Sequence, residues 1–402
     1  MDNKKQKLLT ELVGSITSKE EFEGVQQALL KQGIEALLNA EMSAHLGHSK
    51  GDKPLEGNVR NGYSEKTIKS RDGIHRISIP RDRAASFEPV TIPKHKRISQ
   101  DLEDTILLLY ARGMSNADIT YFMDKTYGVS YSTSQISVIT DSLLEEIRVW
   151  QIRPLDDQYA VVWIDAIHYK IRQEGKVVTK ACMLVIGINM SGQQDLLSMH
   201  ITEVESASSW MGILDDLKTR GVRDILFICS DNLAGMDRAI EAIYPQTIRQ
   251  ICIVHQVRNS LKYVSYNERR EMAIDIKEIY RSANEDAALQ AFELFKAKWG
   301  GKYRAAVKSW ETNWENLTAF LQYPQEIRKL IYTTNVIESF NAGLRKYTKN
   351  KKSFPSDDAA LKSIFSAAKQ VQHRWQKTRQ GWSQIYNQLY INFESRVEPA
   401  NH

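Results

Sequence analysis

Three apolar runs between Tyr159 and Ile201 constrain this chain more than any other feature. Tyr159–Ile164 ends at Asp165, Lys180–Ile188 follows, and Asn189-Met-Ser-Gly192 turns the chain into Leu196–Ile201. Runs of that length joined by short connections predict three antiparallel strands. A helix over Ser206–Thr219 follows, with Trp210, Ile213, Leu214 and Leu217 apolar, closed by Gly221. Then come a strand Asp224–Cys229, a helix Ala234–Ile243 and a strand Gln250–Val254. The order β-β-β-α-β-α-β predicts a mixed sheet with helices on its faces. His255 to about Tyr323 is wholly helical in pattern, and Pro324 opens a last helical region that reaches past Trp382.

The segments before Pro154 have another texture. Residues 1–50 space apolar and charged side chains as amphipathic helices do, the second helix starting near Glu21. Tyr63–Pro80 predicts a hairpin turning at Ser70-Arg-Asp-Gly73. Three short helices follow: one capped by Ser99, one by Ser115 after the Gly113 turn, one opening at Ser132. A Gly-containing turn between short helices fits a helix-turn-helix module, with an ordinary helical bundle as the alternative; the basic hairpin just upstream favours DNA binding. On the first reading Ser132, Thr133, Ser134 and Gln135 are first to face bases or phosphates.

The net charge of the 402-residue chain is only +5, yet it is segregated. Arg60–Arg97 carries an excess of six positive charges and Ser339–Gln380 an excess of eight, which leaves the remainder at −9. Such stripes can hold a polyanion, or can be solvated basic faces. Tyr347, Phe354, Trp375 and Trp382 interleave the second stripe and could stack on unpaired bases, although aromatics at helical spacing more often fill a core. Cys182, Cys229 and Cys252 each lie in an apolar run and read as reduced thiols of a cytoplasmic protein. No stretch is long and apolar enough to span a bilayer, and Met1–Lys5 opens without a signal-peptide apolar core.

Asp165 is the sharpest anomaly. It sits in a strand that should be buried, where an ionised carboxylate costs several kcal/mol unless a cation or hydrogen-bond donors meet it. Asp231 ends a second apolar run, Ile225–Ser230. Two carboxylates at strand ends of one sheet could converge on Mg²⁺, or each could cap the next helix or turn. Glu338 would share a helix face with Asn341 and Arg345, behind a cap at Thr333 or Thr334; a surface glutamate is the plain alternative. Cys252 and His255 have zinc-like spacing, but no second Cys/His pair lies close in sequence, which speaks against zinc. His168 is a conceivable distant partner, and His45 and His48 read as surface residues.

A set of motifs in fixed order accompanies these carboxylates. They are Arg60-Asn-Gly-Tyr-Ser64, Ile79-Pro-Arg-Asp-Arg83, Arg112-Gly-Met-Ser115 and Trp163-Ile-Asp-Ala166. Arg220-Gly-Val222, Ser230-Asp231, Cys252-Ile-Val-His-Gln-Val-Arg-Asn-Ser-Leu261, Ile331-Tyr-Thr-Thr-Asn-Val-Ile-Glu-Ser-Phe340 and Leu344-Arg-Lys346 complete them. With these motifs the chain resembles the bacterial insertion-sequence transposases of the Mutator-like superfamily, over roughly residues 60–390. That resemblance implies a catalytic core with an RNase H-like mixed sheet, interrupted by an all-α insertion. It implies a triad of Asp165, Asp231 and Glu338 holding two Mg²⁺ ions, with Mn²⁺ as a substitute, for phosphoryl transfer. Cys252, His255, Arg258 and Asn341 become near-site residues. Asn232 departs from the family, which usually has Gly there; Asn also tolerates a left-handed turn.

The implied organisation is an N-terminal helical segment (1–60), a basic hairpin segment (61–97) and a helix-turn-helix domain (98–150). A first core part (151–258), the insertion (259–325) and a last core part with basic helices (326–402) follow. The implied partners are double-stranded DNA, as terminal inverted repeats and target, and a second copy in a homodimer. Arg345, Lys346, Lys349, Lys351 and Lys352 would lie on the DNA backbone near the cut. The resemblance further suggests copy-out, paste-in movement through a circular intermediate. A catalytically silent DNA-binding protein and a structure-selective nuclease on the same fold are the other classes compatible with these residues.

Overall fold

The computed structural model describes residues 3–52, 57–70, 73–93, 100–204, 206–332, 335–375 and 377–399. The expected caps Ser99, Thr333 and Thr334 and the turn residues Arg71 and Asp72 lie outside them. By its contacts the chain forms two compact units, residues 1–110 with 114–140, and 111–113 with 141–402.

The first unit begins with helices α1 (Asn3–Gly14) and α2 (Lys19–Leu46). Ser18 caps α2 and Gly47 ends it with φ 74°. Strands β1 (Arg60–Ser70) and β2 (Gly73–Asp82) form the antiparallel hairpin. Ile68, Ile77 and Ile79 pack with Leu38 of α2 in a small core. Arg60 and Asp82, one from each of the two motifs on this hairpin, make structural contacts. The Arg60 guanidinium donates to Asn39 O and Ser43 Oγ on α2, at 3.2 and 2.6 Å. Asp82 accepts from Asn58 Nδ2, Ser86 N, Ser86 Oγ and Phe87 N. Helices α3 (Gln100–Ala111), α4 (Asn116–Tyr127) and α5 (Thr133–Ile152) follow. Ser115 and Asp118 form a reciprocal capping box at the start of α4.

In the second unit, β3 (Gln158–Gln173), β4 (Lys176–Asn189) and β5 (Gln194–Thr202) make the meander. Helix α6 (Ala207–Thr219), strand β6 (Asp224–Ser230), helix α7 (Met236–Ile243) and strand β7 (Ile248–Ile251) continue it. The sheet order is β5-β4-β3-β6-β7, with β3, β6 and β7 mutually parallel and the other pairs antiparallel. The protein is thus mixed α/β, with one five-stranded mixed sheet.

Several expected boundaries shift. β3 does not stop at Ile164 but runs to Gln173, so Asp165 lies in mid-strand. β3 and β4 close at Glu174-Gly175, whose φ values of 49° and 77° suit a tight hairpin turn. β7 stops at Ile251, because Cys252 already begins helix α8 (Ile253–Lys262), and Val254 is helical. Among the described residues the non-glycine positive φ values are at Ala85 and Glu174, so Asn232 is not left-handed. The left-handed position of that turn falls on Gly235, φ 81°, where a Cβ would press on Ala207.

Alternation along β3 feeds two cores. Val161, Trp163, Ile167 and Ile171 face one, and Val162 and Ile164 face the other with α6 and α7. The first core runs on into the helices after β7: α9 (Arg269–Tyr280), α10 (Glu285–Trp299), α11 (Arg304–Thr312), α12 (Trp314–Thr318) and α13 (Gln325–Ile331). Helices α14 (Asn335–Thr348), α15 (Asp357–Gln372) and α16 (Trp382–Asn392) close the same face. Trp210, Phe354 and Trp382 are buried, so they serve packing. No described helix is long and apolar enough to cross a membrane.

Candidate active site

The pairing register brings the first two carboxylates together. β3 and β6 run parallel until Ile164 meets Ser230, and there β6 ends. Asp165 and Asp231 are the next residues of the two chains. Beyond that point the strand beside β3 is β4, with Asp165 opposite Leu184, and a short parallel bridge joins Ile171 to Phe354. β7 ends alongside, Ser230 opposite Ile251, and the Cys252 N–H donates to the Ser230 carbonyl at 2.9 Å. The first turn of α8 therefore starts beside Asp231. A crevice at the carboxyl ends of parallel strands is where α/β sheets usually carry their ligands.

Helix α8 supplies two cations to this edge. His255 Nδ1 lies 2.6 Å from Asp231 Oδ1, and its Nε2 lies 3.6 Å from Glu338 Oε1. Arg258, one turn on, donates from Nη1 to Glu338 Oε1 at 3.0 Å. The spacing His255–Arg258 puts both on one helix face, a signal the sequence carried. The opposite face anchors α8: Gln256 donates to Ser309 Oγ, and Ser260 Oγ accepts from Trp310 Nε1, each at 2.9 Å.

Helix α14 completes the cluster. Glu338 and Asn341 lie three residues apart, and the Asn341 amide donates to Asp165 Oδ2. Asp165 Oδ1 also accepts from the Ala166 N–H at 2.8 Å. Asn341 is buried, and its Oδ1 has no hydrogen-bond partner among the described residues. Burial, and then the neighbouring Asp231 charge, push the Asp165 carboxyl up to about 6. The contact with Asp231, then that with Cys252, raises His255 to about 10, so the imidazole is cationic at neutral pH.

Cys252 offers its sulfur within 4.8 Å of the ligand atoms of Asp231 and His255, a group of three rather than a closed set of four. His168 lies outside that group, on the other face of β3 from Asp165. None of the three cysteines forms a disulfide, and all are buried.

The remaining predicted residues divide. Arg345, Lys346, Lys349 and Lys352 are exposed. Lys351 turns inward to donate to Ser363 Oγ at 3.0 Å, and burial lowers it to about 8. Within the same basic segment Lys362 is buried against Asp141 at 2.6 Å, and Lys369 pairs with Glu146 at 2.5 Å. Ser132 and Gln135 are exposed but committed: Ser132 N donates to Gln135 Oε1, and Gln135 N to Ser132 Oγ. That is a capping box for α5, written in the sequence as Ser-x-x-Gln. Ser132 Oγ also contacts Ser134 Oγ at 2.8 Å.

The fold and this cluster define a mixed α/β protein with three carboxylates, an amide and two cations gathered at the carboxyl edge of its parallel strands. The family described as "Transposase, Mutator family" matches residues 1–378, and the chain belongs to that family. It is 38% identical over 395 residues to the transposase for insertion sequence element ISRM3 of Rhizobium meliloti (strain 1021), covering 97% of this chain and 98% of that protein. It is 31% identical over 389 residues to the transposase for insertion sequence element IS905 of Lactococcus lactis subsp. lactis (strain IL1403), covering 96% and 99%. Among solved structures, a chain of the Drosophila P element transposase strand transfer complex aligns with 69% of this chain and 92% of its own, at 9% identity and TM-score 0.35. That likeness is too weak to carry any argument.

Proposed function

We propose that this transposase binds the terminal inverted repeats of an insertion sequence, cuts the element's ends and joins the freed 3′-hydroxyls to target DNA. The observation that carries this reading is the side-by-side placement of Asp165 and Asp231 by the Ile164–Ser230 register, with Glu338 joined to the same cluster through His255 and Arg258. On this reading the mixed sheet is an RNase H-like core, residues 259–325 with helices α9–α12 are its insertion, and α3–α5 are a helix-turn-helix module for the repeats.

The donor set suits a hard divalent cation. Three carboxylates and the unpartnered Asn341 Oδ1 offer oxygen, which selects Mg²⁺ or Mn²⁺ over softer metals. Asp165, Asp231 and Glu338 would hold the metal, which when bound supplies activation of the attacking oxygen and charge neutralisation at the phosphate. Asn341 holds the Asp165 carboxylate in one orientation. His255 and Arg258 position Asp231 and Glu338 and keep three like charges tolerable at one edge. Exposed Arg345, Lys346, Lys349 and Lys352 would track the DNA backbone. Two ends must be joined, so a homodimer is the smallest working assembly; a circular copy-out intermediate is compatible with the same chemistry.

The test supplies labelled element-end duplex with Mg²⁺ or Mn²⁺ and follows cleavage and strand joining. Wild type should do both, and Asp165→Asn neither. Equal cleavage by the variant overturns the assignment of the site. Cleavage without joining would turn the reading toward a structure-selective nuclease.

A further inference from the structure

A cavity of about 470 Å³ opens beside the carboxylate cluster, between α8, the end of α9 and α13. Its size lies in the ordinary range for small-ligand sites, roughly 300–1,000 Å³. Four of its thirteen lining residues are cations, Arg258, Arg281, Arg328 and Lys329, and none is a carboxylate. Of the four, only Arg258 is ion-paired among the described residues, to Glu338. Arg328 spends its donors on backbone carbonyls, at Tyr323 (2.5 Å), Leu321 (2.7 Å) and Ala283 (2.9 Å). It is a fixed charge without an anion. Arg281 and Lys329 are exposed at the rim.

Three of the other nine lining residues are aromatic, beside the aliphatic Ile253, Val254 and Val257. Tyr280, Phe320 and Tyr332 are the three, and the Phe320 and Tyr332 rings lie 5.9 Å apart, inclined by 38°. Flat rings beneath a cationic rim suit one chemistry above others, a base with its phosphate. The connection to the carboxylates is direct, because Arg258 lines the cavity and hydrogen-bonds Glu338. A strand whose phosphate lies at Asp165, Asp231 and Glu338 would meet the cavity on the Arg258 side of Glu338.

We propose that the cavity takes one unpaired nucleotide of the substrate DNA, swung out of the duplex next to the phosphate that is cut. The base lies against Tyr332, and Arg281 and Lys329 meet its phosphates. Extruding a nucleotide costs stacking and pairing, which the pocket returns, and it frees the backbone to bend into the cluster. This inference rests on the proposed DNA-cleaving function and adds where the strand goes.

The experiment uses the full chain in EDTA, so that binding is read apart from cleavage. Two element-end duplexes are compared, one fully paired and one with an unpaired 2-aminopurine beside the scissile phosphate. Wild type should bind the second about tenfold more tightly, as one stacked base provides, with its fluorescence quenched. Arg281→Ala/Lys329→Ala and Tyr332→Leu should each bring the preference down to about threefold or less, while Tyr332→Phe keeps it. The rim double variant changes exposed side chains only, so its melting temperature should match wild type. Equal affinity for both duplexes, or a preference that survives both disruptive variants, overturns the proposal. So does a free deoxynucleoside monophosphate that quenches Tyr332-dependent fluorescence while duplex discrimination is absent, which would assign the cavity to a diffusible nucleotide. Adding Mg²⁺ separates the two readings. Cleavage without the preference removes the pocket alone, and the preference without cleavage removes the proposed chemistry alone.

Discussion

The Asn341 side-chain amide donates to the carboxylate of Asp165, tying helix α14 to the middle of strand β3. Both residues are largely removed from water, and among the described residues this bond and the Ala166 N–H are what the Asp165 oxygens receive. On the proposed role of Asp165 as a metal ligand, a group that orients its carboxylate typically matters by roughly 10–100-fold. Asn341→Ala should therefore lower DNA cleavage by roughly that factor with the sheet intact. Cleavage rates beside circular dichroism spectra check this, and an unaltered rate would remove Asn341 from the site.

The basic stripe after Ser339 should act on DNA unevenly. Removing exposed Lys349 and Lys352 should weaken binding of any sequence and reduce the salt slope by about 0.9 per lost phosphate contact. Lys351→Ala should leave that slope unchanged, since its ammonium is turned toward Ser363. Binding titrations across a salt series distinguish the two variants.

Ser132 separates capping from DNA contact. Ser132→Ala removes the α5 cap and should cost about 1 kcal/mol of stability. Ser132→Asp keeps a capping oxygen but places a negative charge where a phosphate would approach. If this helix start meets DNA, the Asp variant should melt like wild type yet bind DNA more weakly. Unchanged binding by Ser132→Asp would place the DNA elsewhere.

Asp82 should make the first unit acid-sensitive. Burial alone would raise its carboxyl, but the hydrogen bonds from Asn58, Ser86 and Phe87 outweigh burial and hold it well below the usual carboxylate range. A depressed folded-state value means the stabilisation is complete above the unfolded value of about 3.9 and is lost as pH falls through the folded one. Asp82→Ala should thus destabilise the protein by about 1–3 kcal/mol at pH 7, because buried donors lose their acceptor. The gap from wild type should narrow below about pH 4. Urea unfolding at several pH values reads both effects, and a gap independent of pH would contradict them.

Much of the second unit was legible because its signals are local. Apolar runs of strand length, Ser206 before a helical stripe and the turn at Asn189–Gly192 each act over a few residues. Boundaries slipped where neighbours decide: β3 continues past Asp165 because β4 pairs with it as far as Gln173. β7 stops early because Cys252 already caps helix α8. For Tyr347, Phe354, Trp375 and Trp382 the sequence favours a core and leaves base stacking open; packing buries Phe354 and Trp382 and seats the other two against the same core.

Sequence by itself determined the element order, the segregated charge and the oddity of a carboxylate in the run Tyr159–Tyr169, since each follows from residue type and spacing. Only the tertiary structure decided that Asp165 adjoins Asp231, that Asn341 faces Asp165, and that His255 and Arg258 bind Asp231 and Glu338. Those relations depend on the register of β3 with β6 and on helices packed from distant parts of the chain. Register and packing are settled by burial of whole faces, which no single residue encodes.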